Sequence, residues 1–187
     1  MHNRVCPWWL GYFLASPLRR MLHDPEKILR PYIKEGMNVL DIGCGMGFFS
    51  LPTARMVGET GKVVCVDLQE KMIRGLLRRC NKARLAERID ARICRPDTLG
   101  LDDITGKIDF ALAFALIHEV PDRERLLSEI FSAMKQNGRL LIAEPKGHES
   151  RKGFDQTISA AKNAGFRVIN DVSIRRSYAV LLIKQSI

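Results

Sequence analysis

Short apolar runs, each bounded by Gly, Asp or Pro, alternate along the chain with longer stretches in which apolar side chains recur every three or four positions. The short runs are Asn38–Ile42, Lys62–Asp67, Ala91–Cys94, Asp109–Phe114 and Arg139–Ala143. Their nearly continuous apolar character predicts strands buried on both faces. Among the longer stretches, Glu70–Ala83 carries Met72, Ile73, Leu76, Leu77 and Cys80 at helical spacing. Arg74, Arg78, Arg79 and Lys82 fall on its other side, as on a solvated helix face. A second helix is expected from Pro121-Asp122 toward Gln136, with Asn137-Gly138 as its stop. The tail differs. A helix around Asp155–Asn163 leads through Gly165 into Phe166–Ile174, then Arg175-Arg176-Ser177, then Tyr178–Lys184. Two strand runs joined by a short turn predict an antiparallel hairpin.

Strict alternation of strand and helix implies an α/β fold whose parallel sheet is covered by helices on both sides, because right-handed crossovers permit little else. The division expected is an N-terminal helical segment, residues 1–35, ahead of one domain at 36–187. No internal repeat or low-complexity tract interrupts the chain. The first segment holds both tryptophans in Cys6-Pro7-Trp8-Trp9-Leu10-Gly11-Tyr12-Phe13-Leu14. We read it as a lid over an apolar or aromatic ligand, with an ordinary core helix or a membrane or partner contact as the other ways to bury it. A signal peptide is disfavoured, since its apolar core is short and no clean cleavage site follows.

Composition narrows the picture modestly. A chain of 187 residues suffices for one domain with a substantial core, and 46% hydrophobic with 27% charged residues is ordinary for a globular protein. No apolar run approaches the roughly 18 to 20 residues of a membrane-spanning helix. The five cysteines, Cys6, Cys44, Cys65, Cys80 and Cys94, form no C-x-x-C pair. They read as free, mostly buried thiols of a reducing, cytoplasmic compartment, and no metal site is expected. A net charge of +9 favours anionic partners, nucleic acid included. The basic residues are scattered, however, and charge alone decides nothing.

The most informative segment is Val39-Leu40-Asp41-Ile42-Gly43-Cys44-Gly45-Met46-Gly47-Phe48-Phe49. A buried strand runs into three alternating glycines and then a helix. Glycine is required where the backbone turns through unusual dihedrals or where a ligand lies against the main chain. At a strand's carboxyl end, that is where open α/β sheets bind cofactors. The dinucleotide fingerprint can nearly be forced onto Gly45, Gly47 and Ser50, but anchored on Gly43 and Gly45 it fails at Phe48. Asp41, two residues ahead of the first glycine, would repel a pyrophosphate and suits a cationic ligand. That logic selects S-adenosylmethionine, which carries a sulfonium and an ammonium. Asp67, about twenty residues on, is placed to accept from a ribose diol; as a helix-start cap near Gln69 it has a second explanation.

On these motifs the sequence resembles the class I S-adenosylmethionine-dependent methyltransferases, of the broad type that includes the ubiquinone/menaquinone-pathway C-methyltransferases. Further segments carry the resemblance: Arg95-Pro96-Asp97-Thr98, Ile108-Asp109-Phe110, Leu116-Ile117-His118-Glu119-Val120-Pro121-Asp122, and Met134 to Ile142. Asn137 before Gly138 departs from the family's usual turn. The resemblance implies a Rossmann-like three-layer sandwich with a mostly parallel seven-stranded sheet and a C-terminal antiparallel hairpin. It implies that Asp41, Gly43, Cys44, Gly45 and Gly47 form the methionine end of the cofactor site. Asp67 would then hold the ribose, Leu68 would pack on the adenine, Asp97 and Thr98 would belong to the adenine loop, and backbone at Ala113 and Phe114 would line the opposite wall.

Methyl transfer asks the protein mainly to align nucleophile and methyl group and to exclude water. An acidic acceptor also needs a general base, and histidine suits that task near neutral pH. His118, just past the fourth strand, and His148, past the fifth, are the candidate catalytic residues, with Glu144 and Glu119 behind them. Each has a plainer role, His118 orienting the next helix and His148 facing solvent. A small, apolar or aromatic methyl acceptor is favoured over RNA or DNA, because Ala113-Phe114-Ala115-Leu116 stands where base-amine methyltransferases carry Asn/Asp-Pro-Pro-aromatic. A non-catalytic cofactor-binding regulator of the same fold is the alternative from outside enzymology. The acceptor atom and the oligomeric state, a homodimer included, are left open.

Overall fold

The computed structural model describes residues 23–185. The N-terminal aromatic segment, and with it the expected lid, lies outside the described residues. The chain divides into two units, one up to Pro96 and one from Asp97.

In the first unit, helix α1 (Pro25–Leu29) starts on Asp24, whose carboxylate accepts from the Glu26 amide at 3.0 Å. Strand β1 (Asn38–Ile42) runs into the glycine segment and then helix α2 (Ser50–Met56). Strand β2 (Lys62–Asp67), helix α3 (Glu70–Lys82) and strand β3 (Ile89–Ile93) complete the unit. β2 pairs in parallel with both β1 and β3, setting Ile42 opposite Val66 and Asp67 opposite Ile93. β1 and β2 are buried as their apolar runs require, Val39, Leu40, Val63, Cys65 and Val66 among the core. β3 is not: its side chains are half-buried and Ile93 is 54% exposed. β3 stands at the end of the sheet order, so only one neighbour covers it. On α3, Met72, Ile73, Leu76 and Cys80 are buried as predicted, whereas Leu77 is exposed.

The second unit contains strands β4 (Ile108–Phe114), β5 (Met134–Pro145), β6 (Phe166–Asp171) and β7 (Ser177–Lys184), with helices α4 (Arg123–Ala133) and α5 (Arg151–Asn163). β4 and β5 are parallel, and β7 pairs antiparallel with both β5 and β6. Asp122 caps α4 by accepting from the Arg125 amide at 2.9 Å, as Pro121-Asp122 had suggested. The other end of α4 departs from expectation. The helix stops at Ala133, and Met134 enters β5 opposite Ile108 with its side chain wholly buried. Asn137 has φ 63°, a Cβ on Gly138 would lie 2.8 Å from the Lys135 carbonyl, and the β4–β5 register shifts there. Asn137-Gly138 therefore builds a bulge inside a strand rather than a helix stop; a positive φ serves both, and pairing with β4 decides which. α5 starts earlier than predicted, because Ser150 accepts from the Gly153 amide at 3.0 Å and initiates the helix there. β6 ends at Asp171, short of the Ile174 expected, after a register shift between Val168 and Asn170.

The seven strands follow the order β3-β2-β1-β4-β5-β7-β6. This is the α/β, mostly parallel sheet with a terminal antiparallel pair that the alternation predicted. Among the described residues, no helix is long and apolar enough to cross a membrane, and no group of three metal-binding side chains is present.

Candidate functional site

The glycine segment closes β1 with three left-handed residues in alternation: Gly43 at φ 69°, Gly45 at 53° and Gly47 at 82°. Backbone bonds fix the turn. The Gly43 and Cys44 amides donate to the Val66 carbonyl at 2.8 and 3.2 Å, and the Gly47 amide donates to Cys44 at 2.9 Å. The glycines differ in what surrounds them. A Cβ on Gly47 would lie 2.4 Å from a methyl of Leu76, whereas a Cβ on Gly45 would meet nothing within 4 Å. Gly47 is small because the helices crowd it; Gly45 leaves bare main chain beside open space, as a ligand lying on the backbone requires.

Asp41 is 4% exposed and accepts from the Ser50 hydroxyl at 2.5 Å, so it joins the end of β1 to the first turn of α2. Asp67, at the end of β2, accepts from the Gly45 amide at 2.9 Å on one oxygen and from the Gln69 amide at 2.9 Å on the other. Each oxygen of an ionised carboxylate has a second lone pair, so capacity for a diol remains. Burial pushes the Asp67 carboxyl above its ordinary value, and the two amides oppose that shift. The expected cap is not formed: α3 starts at Glu70 with Gln69 at its cap and no side chain capping it, so the Gln69 bond is a local turn ahead of the helix. The same Asp67 side chain also shapes the glycine turn. Next to it Leu68 is 37% exposed, and Ile93, opposite Asp67 in the β2–β3 register, is 54% exposed. Two uncovered aliphatic side chains at adjoining strand ends suit a flat apolar ring. Leu68 was picked out from the sequence; Ile93 was not, since a strand read as buried gave no reason to expose its last residue. The Cys44 thiol is buried and its hydrogen bond to Cys65 and its burial raise its pKa well above the ordinary value, which makes it an unreactive packing group. These carboxylate acceptors and apolar surfaces fit a nucleoside with a cationic tail.

In the second unit, Asp97 is exposed and lies in the loop after β3. The Thr98 hydroxyl donates to Glu129 at 3.0 Å and accepts from the Gly100 amide at 3.1 Å, so it holds the loop's shape. Ala113 and Phe114 close β4, buried, and Ala115 follows at φ 56° with its amide on the Ala143 carbonyl at 2.7 Å.

That turn delivers Leu116, Ile117 and His118 to Glu144, near the end of β5. Glu144 has no solvent exposure. One of its oxygens accepts from the Ile117 amide at 2.7 Å and the Leu116 amide at 3.3 Å. The other lies 2.5 Å from His118 Nδ1. A carboxylate so buried is tolerable because every face of it meets a donor. It accepts only, so it assigns the proton to Nδ1 and leaves Nε2 as the basic nitrogen. The Glu144 hydrogen bond raises the His118 pKa above its ordinary value, against burial, with smaller help from the charges of Glu119 and Glu149. Glu119 Oε1 is 3.9 Å from Nε2. His148 is exposed, its ring centroid 5.8 Å from that of His118. The structure therefore brings both candidate histidines together and promotes Glu144 from a minor candidate to the group that fixes His118. Its signal in the sequence was slight: an acidic residue at the end of an apolar run, followed by Pro145.

The family model described as "Methyltransferase domain" matches residues 33–173. The chain belongs to that family, and its fold is that of the class I S-adenosylmethionine-dependent methyltransferases. It is 28% identical to a solved S-adenosylmethionine-dependent methyltransferase from Aquifex aeolicus, with a TM-score of 0.86 over 96% of this chain and 100% of that one. It is 27% identical over 151 residues, 79% of its length, to the ubiquinone/menaquinone biosynthesis C-methyltransferase UbiE of Salmonella arizonae. The UbiE of Escherichia fergusonii is 30% identical over 60% of the chain. The chain spans 59% and 44% of the length of these two relatives.

Proposed function

We propose that the chain transfers the methyl group of S-adenosylmethionine to a small apolar or aromatic acceptor, with His118 as general base. The His118–Glu144 pair carries the catalytic part of this reading, and the glycine turn with Asp67 carries the cofactor part. When bound, the cofactor supplies an electrophilic methyl on a sulfonium that departs as a neutral thioether. The chain's own residues do the rest. Gly43, Gly45 and Gly47 offer main chain to the cofactor's methionine end, near the negative charge of Asp41. Asp67 would accept from the ribose hydroxyls and Leu68 and Ile93 would pack on the adenine, with Asp97, Thr98 and the backbone at Ala113 and Phe114 as the further residues that would hold the cofactor. His118 Nε2 takes the proton from the acceptor's oxygen, nitrogen or acidic carbon as that atom bonds to the methyl. Glu144 keeps the imidazole in the tautomer that allows this and stabilises the imidazolium that results.

The relatives named UbiE are C-methyltransferases of quinone biosynthesis, which points the acceptor screen toward phenols and quinols. In that screen, His118→Ala is expected to lower turnover by about 10²- to 10⁴-fold, the range for loss of a general base. Its affinity for S-adenosylhomocysteine, measured by calorimetry, should not change. Normal turnover in this variant would end the role given to His118.

A further inference from the structure

Helix α3 was read from its sequence as an apolar stripe backed by a solvated row of Arg74, Arg78, Arg79 and Lys82. Arg79 does not belong to that row. It is half-buried, and its Nη1 donates to the Met46 carbonyl in the middle of the glycine turn. Arg74, by contrast, is exposed and pairs with Glu70 within its own helix at 2.6 Å. Burial holds the Arg79 guanidinium below its usual pKa, though a guanidinium stays charged throughout the working range.

Two more contacts join the same stretch of α3 to the turn. A Cβ on Gly75 would lie 2.8 Å from Met46 Cγ, so the missing side chain of Gly75 is the space in which Met46 sits. One residue on, Leu76 fills the position that a Cβ on Gly47 would occupy. Gly75, Leu76 and Arg79 thus grip Met46 and Gly47 from the helix, while Val66 and Asp67 hold Gly43, Cys44 and Gly45 from β2. The turn needs such a grip. Three glycines in five residues give its unfolded state unusual freedom, and the chain must restrict that freedom before a ligand arrives. Carbonyls in left-handed turns lack the regular partners of helix or sheet, and a buried one left unmade is costly.

We propose that Arg79 is a positioning residue for the cofactor, acting through the Met46 carbonyl to hold the glycine turn in its ligand-accepting shape. This rests on the cofactor reading given above. The guanidinium touches neither cofactor nor acceptor; it restrains the peptide against which the methionine end lies. A charge-assisted donor suits the task because it is about twice as strong as a neutral one, and its planar fork loses little freedom on binding.

The test is calorimetric titration of the full chain with S-adenosylhomocysteine at a temperature well below unfolding. Arg79→Met, which keeps the aliphatic stem, should weaken binding about tenfold, the scale of one charge-assisted hydrogen bond. Arg79→Lys should recover part of that loss, and Arg78→Met, one residue away, should bind as the wild type does. A purely structural Arg79 would lower the melting temperature and leave the dissociation constant unchanged, and that result overturns the proposal. Should Arg79→Met not fold, Gly75→Ala presses on Met46 from the same helix and should weaken binding too; unchanged affinity there also overturns it. Failure of the wild type to bind S-adenosylhomocysteine would overturn the cofactor reading along with this one. Wild-type binding with indifferent variants would overturn the Arg79 role alone.

Discussion

The glycine turn and the His118–Glu144 pair both sit at the carboxyl ends of strands, and they are built in opposite ways. In the turn, the features offered to a ligand lie in the main chain: three left-handed glycines, their amides on Val66 and on Asp67, and open space beside Gly45. Its residues are contiguous, so its geometry is written into a stretch of five. The histidine pair lies in side chains 26 positions apart in the sequence. It exists because β4 ends in the turn at Ala115 and because β5, extended by its bulge, brings a buried carboxylate to the same level. Backbone sites resist side-chain substitution except where a Cβ cannot fit. Side-chain pairs depend wholly on the identity of both partners.

The largest consequence of that contrast is expected at Gly47. Gly47→Ala puts a Cβ at φ 82°, within 2.5 Å of Leu51 and Leu76 methyls. The left-handed backbone and the overpacking together cost about 2–4 kcal/mol. Titration with S-adenosylhomocysteine should show affinity falling by roughly a hundredfold. Wild-type affinity in this variant would mean that the turn is not the cofactor's seat.

A smaller effect, with a distinct signature, is expected from Glu144→Gln. A carboxamide has one acceptor oxygen, so its NH₂ must oppose either the His118 Nδ1–H or the Leu116 and Ile117 amides. The pH–rate profile is the measurement. In the wild type His118 must lose a proton to act as base, so activity should rise with pH through a value above the ordinary histidine pKa of about 6.5. The variant should be about tenfold slower at its plateau, with its rising limb displaced to lower pH. Stability should follow the same group. A raised folded-state pKa contributes stability that is fully present below the unfolded value and is lost as pH rises through the folded one. Thermal melts of the wild type should therefore lose that increment across this window, and those of Glu144→Gln should lose less. A limb that stays in place would remove Glu144 from the pair.

His148→Ala should give the mildest effect, a change of about twofold to fivefold in KM for the acceptor with kcat retained, since the residue is exposed and 5.8 Å ring to ring from His118. A fall in kcat as large as that for His118→Ala would instead make the two histidines joint catalytic residues.

Much of this molecule was legible before any coordinates. The alternation of short apolar runs with helical periodicity gave the α/β sheet, and the seventh-strand hairpin followed from Gly165 and the Arg175-Arg176-Ser177 turn. Gly43, Gly45 and Gly47 announced the left-handed turn and Asp67 the strand-end carboxylate beside it, because such features are local requirements, and local requirements fix residue type. Errors fell where a local signal has two tertiary uses. Asn137-Gly138 supplies a positive φ equally to a helix stop and to a strand bulge, and the pairing of Met134 with Ile108 chose the bulge. Arg79 looked like its neighbours because periodicity records direction around a helix and says nothing of what stands opposite. Ile93 looked buried because apolarity does not reveal that β3 is an edge strand. Glu144 was the clearest case. Its chemistry depends on three donors drawn from a distant turn, and only the packing of β4 and β5 could turn one acidic residue at a strand end into the partner of a histidine.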